Sequence, residues 1–166
     1  MIPPAVGLRP CAILRLWQAS QVVVVINQSS EDLRMHPFRS AVEACDTQAL
    51  EAMLAEDVVF SSPVVYKPYP GKAITAAILR GVLRVFEDFR YVREIGEPDG
   101  RDHAFVFTAT VNGREVHGCD FLHFDDDGRI DEFTVMVRPM SGAQALAEAM
   151  GAQFAQIERE AAAAGA

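Results

Sequence analysis

One stretch of this 166-residue chain sets a carboxylic acid among apolar strand residues. Alternate residues of an extended chain face opposite sides. Over Val116 to Phe124 this puts Val116, Gly118, Asp120, Leu122 and Phe124 on one face, and Glu115, His117, Cys119, Phe121 and His123 on the other. The first face is apolar apart from Asp120. Packed inward, it takes the Asp120 carboxyl out of water and raises its pKa; a carboxyl kept protonated near neutrality can donate to a carbonyl or act as a general acid. Asp120 is therefore the candidate catalytic residue, and Leu122 beside it a candidate ligand contact. By the same parity Ser62 shares a face with Val58 and Phe60 at the end of another extended run. Its hydroxyl can orient a ligand against Phe60, although no Gly-x-Ser-x-Gly surrounds it to mark an activated nucleophile. Tyr66, in a proline-rich loop, can line a pocket mouth.

Other polar residues have simpler readings. Parity turns His117 and His123 away from the apolar face, toward a surface or an interface, and His103, opening a strand, is expected to be exposed. Tyr91 is expected to pack rather than donate. Asp125 to Asp127 lack the roughly 12-residue loop and terminal Glu of a calcium site and read as a solvated hairpin turn. Arg138, before Pro139, is expected to anchor the sheet end to a carboxylate. Cys11, Cys45 and Cys119 are widely spaced and odd in number, without a Cys-x-x-Cys pair, so no disulfide framework or thiolate zinc site is indicated and a reducing cytoplasm is the simplest location. No metal or cofactor is expected. The balance of 15 basic against 23 acidic residues argues against nucleic acid or an anionic membrane as partner. No apolar run approaches the ~18 residues that would cross a bilayer.

The elements that must position these groups follow from periodicity. Phe38, Ala41, Val42 and Cys45 recur at helical spacing after Pro37; Asp46 is placed to cap a second short helix over 47 to 54, making a helical hairpin. Asp57 to Ser62 reads as a strand halted by Pro63, and the Lys67-Pro68-Tyr69-Pro70-Gly71 cluster as loop. Ile74, Ile78, Val82 and Phe86 predict a third helix. Four strands follow, Phe89 to Ile95, His103 to Val111, Val116 to Phe124 and Ile130 to Arg138, with Asn112-Gly113 as the strongest hairpin signal. A last helix begins at Ser141, where Ser141 and Gln144 form a capping-box pattern, and it fades into an alanine-rich end.

Residues 1 to 34 read differently, with a net charge of +1 against −9 for the remainder. The Val22–Ile26 run is short for a secretory h-region of roughly 7–15 residues. It could form an edge strand. The favoured expectation is an extension outside the fold, because an unpaired run of this kind is an aggregation hazard. The domain is expected over 35–140, with an amphipathic helix over 141–166 packing on or beside it.

The order helix, helix, strand, helix and four-stranded meander, with Ala41 and Asp46 spaced across the helical linker, resembles the nuclear transport factor two-like superfamily, in its SnoaL-like and ketosteroid-isomerase-like branch. Three segments carry the resemblance: Asp57-Val-Val-Phe-Ser-Ser-Pro63, Ala104-Phe-Val-Phe-Thr108 and Asp120-Phe-Leu-His-Phe124. It implies an α+β fold, a cone-shaped, curved, antiparallel-rich sheet wrapped around helices (a cystatin-like α+β barrel), here with an extra C-terminal helix. It also implies an apolar pocket and commonly a homodimer, for which an outer face bearing Phe121 and Phe133 is a plausible contact.

Carried over residue by residue, the resemblance is incomplete. The ketosteroid isomerases use a strand Asp, a helix Tyr and a second Asp as base. Asp120 matches the first, the tyrosine position falls on Phe38, and the base position falls on Ser62. Phe38 thus becomes a candidate ligand contact, and steroid isomerisation by that mechanism is disfavoured. An epoxide hydrolase would want Arg where Gly118 stands. The cyclases of the superfamily can work with one acidic residue. The partner expected is a small apolar molecule, and two functions stand open: an acid/base isomerase, cyclase or dehydratase using Asp120 without a cofactor, or a non-catalytic binding or dimerisation domain with a vestigial site.

Overall fold

A computed structural model describes residues 35–165; the expectations for residues 1–34, with Cys11 and the Val22–Ile26 run, lie outside them. Two short helices open the fold, α1 (Pro37–Glu43) and α2 (Thr47–Met53). Pro37 stands in the first turn of α1, where its missing N–H costs nothing. The Asp46 carboxylate accepts from the backbone N–H groups of Gln48 and Ala49 at 3.1 and 3.0 Å, the N-cap its position predicts.

Then come β1 (Leu54–Ser61), β2 (Tyr69–Pro70), α3 (Lys72–Val85), β3 (Glu87–Ile95), β4 (Asp102–Val111), β5 (Arg114–Phe124), β6 (Ile130–Arg138) and α4 (Met140–Ala164). The sheet order is β2-β1-β6-β5-β4-β3. Among the described residues only the β1–β6 pair is parallel. At the β4–β5 turn Asn112 and Gly113 both take positive φ (48° and 73°), the backbone that a two-residue hairpin needs. Register irregularities in the β3–β4 and β1–β6 pairs bend the sheet. Phe38, Phe60, Phe105, Phe107 and Phe133 fill its concave side, with edge-to-face contacts from Phe133 to Phe38 (5.6 Å) and Phe60 (5.3 Å). This is the expected α+β cone with an added C-terminal helix.

The structure corrects several expectations. β1 starts at Leu54, directly at the end of α2, because Leu54 and Ala55 are already buried. Tyr69–Pro70 forms a short edge strand inside the stretch predicted as loop, paired with Val59 and Phe60; an edge tolerates Pro70 because its missing donor faces no neighbour. α4 begins on Pro139 with no side-chain cap, so the Ser141/Gln144 box does not form. Arg138 is exposed and has no ion pair among the described residues, so it does not anchor the sheet end. Phe133 belongs to the core, leaving Phe121 exposed on the outer face without it. His103 is buried, not exposed: its Nε2 lies 2.9 Å from the Gly100 carbonyl, and its ring packs 4.6 Å from that of His36. Burial, together with the nearby His103, pushes the His36 pKa down to about 4.

α4 runs as one 25-residue helix through the alanine-rich end. It is tied to α3 by Arg80 and Arg84, both paired with Glu160 at 3.3 and 3.2 Å, while Arg80 also reaches Glu51 of α2 at 3.1 Å. Gly81 permits this contact, since a Cβ there would stand 2.8 Å from the Ile157 side chain.

Candidate active site

The parity of β5 holds in three dimensions. Val116, Gly118, Asp120 and Leu122 are buried, whereas Glu115, His117 and Phe121 are exposed. Asp120 is 7% exposed and stands in register between Phe105 of β4 and Val135 of β6. Its partner is Tyr91 on β3, two strands away, whose hydroxyl donates to Asp120 Oδ2 at 2.7 Å. Tyr91 pairs with Phe107, and the register shifts before Arg93.

A missing side chain shapes the floor. Phe107 is opposite Gly118, and a Cβ on Gly118 would lie 2.1 Å from the Phe107 ring. The ring occupies that space, so the position where an epoxide hydrolase would carry Arg is filled by an aromatic from the next strand. Phe89, Phe105 and Phe107 surround the Tyr91 ring at 4.9, 5.6 and 6.3 Å. Packed in this way, Tyr91 and Asp120 are both buried, at 5% and 7% exposure.

The electrostatics follow from that burial. Desolvation pushes the Asp120 carboxyl up to about 7, while the Tyr91 hydrogen bond, which favours the anion, works the other way. Burial, then the Asp120 charge, hold the Tyr91 phenol well above its ordinary range. Desolvation and Asp120 also push up the Cys119 thiol on the outer face.

Asp120 and Tyr91 open onto a cavity of about 430 Å³, within the roughly 300–1,000 Å³ of small-molecule sites. Of the expected ligand contacts, Phe38, Phe60 and Ser62 line it together with Asp120. Tyr66 and Leu122 do not. The Tyr66 side chain is fully exposed, and its loop reaches the cavity through Pro63, Val64 and Val65 instead. Leu122 faces inward but is buried in the core beside its strand partner Phe133.

Sequence reasoning missed Tyr91 as a donor, although alternation along β3 puts it inward with Phe89. It also missed the α4 wall, where Leu146, Met150, Phe154 and Ile157 line the cavity; their helical stripe was the available signal. Among the described residues no cluster of three or more His, Cys, Asp or Glu is arranged to hold a metal ion.

Near neutral pH Asp120 populates both protonation states, so it can take a proton and return it. Tyr91 donates to Oδ2, and Oδ1 has no hydrogen bond among the described residues. The described lining residues contain no second carboxylate and no His, so Asp120 is the one group among them that titrates near neutrality.

Comparisons with known proteins agree with this fold. A family model described as a SnoaL-like domain matches residues 36–133. A steroid delta-isomerase from Pseudomonas aeruginosa is 42% identical over 82% of this chain and 97% of its own, with a TM-score of 0.68. An uncharacterized protein with a cystatin-like fold from Silicibacter pomeroyi is 34% identical over 75% of this chain and 91% of its own, TM-score 0.67. A putative polyketide cyclase from Pseudomonas putida, at 23% identity, TM-score 0.53 and 64% and 89% coverage, shares the fold. No curated protein matches the chain.

Proposed function

The chain belongs to the SnoaL-like domain family, and from that premise we propose that it binds an apolar, carbonyl-bearing small molecule and moves a proton on it, as an isomerase, cyclase or dehydratase with Asp120 as the proton carrier. The observation that carries the reading is the Tyr91–Asp120 hydrogen bond at the floor of an apolar cavity. In the ionised state Oδ1 takes a proton from the carbon next to the carbonyl: the C–H bond breaks, a carboxyl O–H forms, and the electron pair moves onto the carbonyl oxygen. Return of the proton to another carbon completes an isomerisation; its transfer to a departing hydroxyl completes a dehydration. Tyr91 donates to Oδ2 throughout, which steadies the anion and holds the carboxyl in one orientation.

A second reading, binding without turnover, is favoured by the lack of any other carboxylate or His among the described lining residues. Proton exchange separates the two. In D₂O at pH 7, wild-type protein is expected to speed deuterium incorporation next to the carbonyl of 2-decalone on the order of 100-fold or more beyond Asp120→Asn, the usual contribution of a positioned acid/base group. Equal rates would remove Asp120 from any proton transfer and leave the binding reading.

A further inference from the structure

The proton-carrier reading uses two of the cavity's polar groups and leaves the others unemployed. They are few. Among the described lining residues only Ser62 and Tyr69 add a polar oxygen to those of Asp120 and Tyr91, and no Lys, Arg or His is present. An anionic ligand would lose its water there, meet no cation and approach the Asp120 carboxyl, a costly exchange. An anion is therefore disfavoured, and a cation would have the Asp120 carboxyl alone to offset its lost water in an otherwise apolar lining, so a neutral occupant fits best.

Register then places Ser62. β1 runs parallel to β6 and ends with Ser61 beside Thr134; Ser62 follows one residue past the strand, on the side of Val135, which is paired with Asp120 on β5. With neighbouring strands roughly 4.8 Å apart, Ser62 stands roughly 10 Å across the inner face from Asp120. Val135 lies between them, and all three line the cavity. Ser62 Oγ accepts from the Val64 N–H at 3.3 Å, which pins the oxygen while its own O–H stays available to donate. Tyr69 lies one strand further out, its ring between those of Phe60 and Phe154 (6.4 and 6.1 Å).

We infer that Ser62 is a specificity-determining residue whose hydroxyl holds a second acceptor oxygen, so that the cavity selects neutral apolar molecules carrying two oxygens, one for Asp120 and one for Ser62. This rests on the proposed reading that the ligand's carbonyl end lies at Asp120, whose carboxyl in its protonated state can donate to that oxygen in the bound complex.

Matched probes test it: 2-decalone, with one carbonyl, and decalin-2,6-dione, with one at each end, titrated by protein NMR into wild type, Ser62→Ala, Tyr69→Phe and Asp120→Leu. The expected result is that the dione binds wild type about 5-fold or more tighter than the monoketone, that Ser62→Ala abolishes this advantage while binding the monoketone as wild type does, and that Tyr69→Phe keeps it. An equal affinity for both probes in wild type, or an advantage that survives Ser62→Ala, overturns the inference, as does its loss in Tyr69→Phe alone. The underlying reading is judged separately. If Asp120→Leu binds 2-decalone as wild type does, the Asp120 role fails; if it binds more weakly while Ser62→Ala changes nothing, only the Ser62 inference fails.

Discussion

Replacing Asp120 with Asn should stabilise the protein, and by an amount that grows with pH. Asn has the same shape, its amide oxygen can still accept from Tyr91, and it never ionises. In the wild type the folded-state pKa of about 7 stands above the ordinary 3.8. The folded protein therefore binds more protons than the unfolded chain between these values, and stability falls as pH rises through the interval. Integrating the proton difference gives on the order of 2 kcal/mol lost by pH 5 and roughly 4 kcal/mol lost by pH 8. The gain from Asp120→Asn should thus be on the order of 2–3 kcal/mol larger at pH 8 than at pH 5. Urea unfolding of both proteins at the two pH values measures it, because every other titrating group cancels in the difference. A difference that does not change with pH would mean that Asp120 titrates in the folded protein as it does in the unfolded chain, and the argument from its burial would fall.

Two further predictions address the groups around it. Tyr91→Phe removes the hydrogen bond that favours the anion, so the Asp120 midpoint should move above about 7 by roughly 1–2 units, given ~1.5–3 kcal/mol for a bond to a charged group. The ¹³C carboxyl shift of labelled Asp reports it, and a midpoint that stays or falls would contradict the assignment. Gly118→Ala should cost about 1–3 kcal/mol in urea unfolding by driving a methyl into the Phe107 ring, and the displaced ring should alter the near-ultraviolet circular dichroism; an unchanged midpoint would show that the ring moves freely.

What could be read from the chain was local. The β4 to β6 meander is legible because Asn112-Gly113 and Asp125 to Gly128 are turn chemistry: the Asp125 carboxylate accepts from the N–H groups of Asp127 and Arg129 at 2.9 and 2.8 Å. Alternation within β5 then settles that Asp120 faces inward. The Tyr91 partnership is not local, since it crosses β4 and lies at a shift in the β3–β4 register. His103 was misread for a similar reason. Its burial depends on a carbonyl accepting at Gly100 and on the bare Cα of Gly96, where a Cβ would come 2.5 Å from the ring. β2 exists only through its pairing with β1, and no propensity of Tyr69-Pro70 announces it. Tyr66 and Leu122 were misplaced because loop direction, and depth along a cone, are set by tertiary packing that parity does not describe.

The position of α4 has a practical consequence. The hydrogen-bonded Tyr91–Asp120 pair sits on β3 and β5, inside the stretch of residues 36–133 that matches the family model, whereas Leu146, Met150 and Phe154 of the cavity wall come from a helix beyond it. Part of the cavity wall is thus encoded outside the length of chain that carries the Tyr91–Asp120 pair. Leu146, Met150 and Phe154 could be diversified to retune which molecules enter, keeping Ile157 and Glu160 with their seat on Gly81, Arg80 and Arg84 and leaving the Tyr91–Asp120 floor untouched.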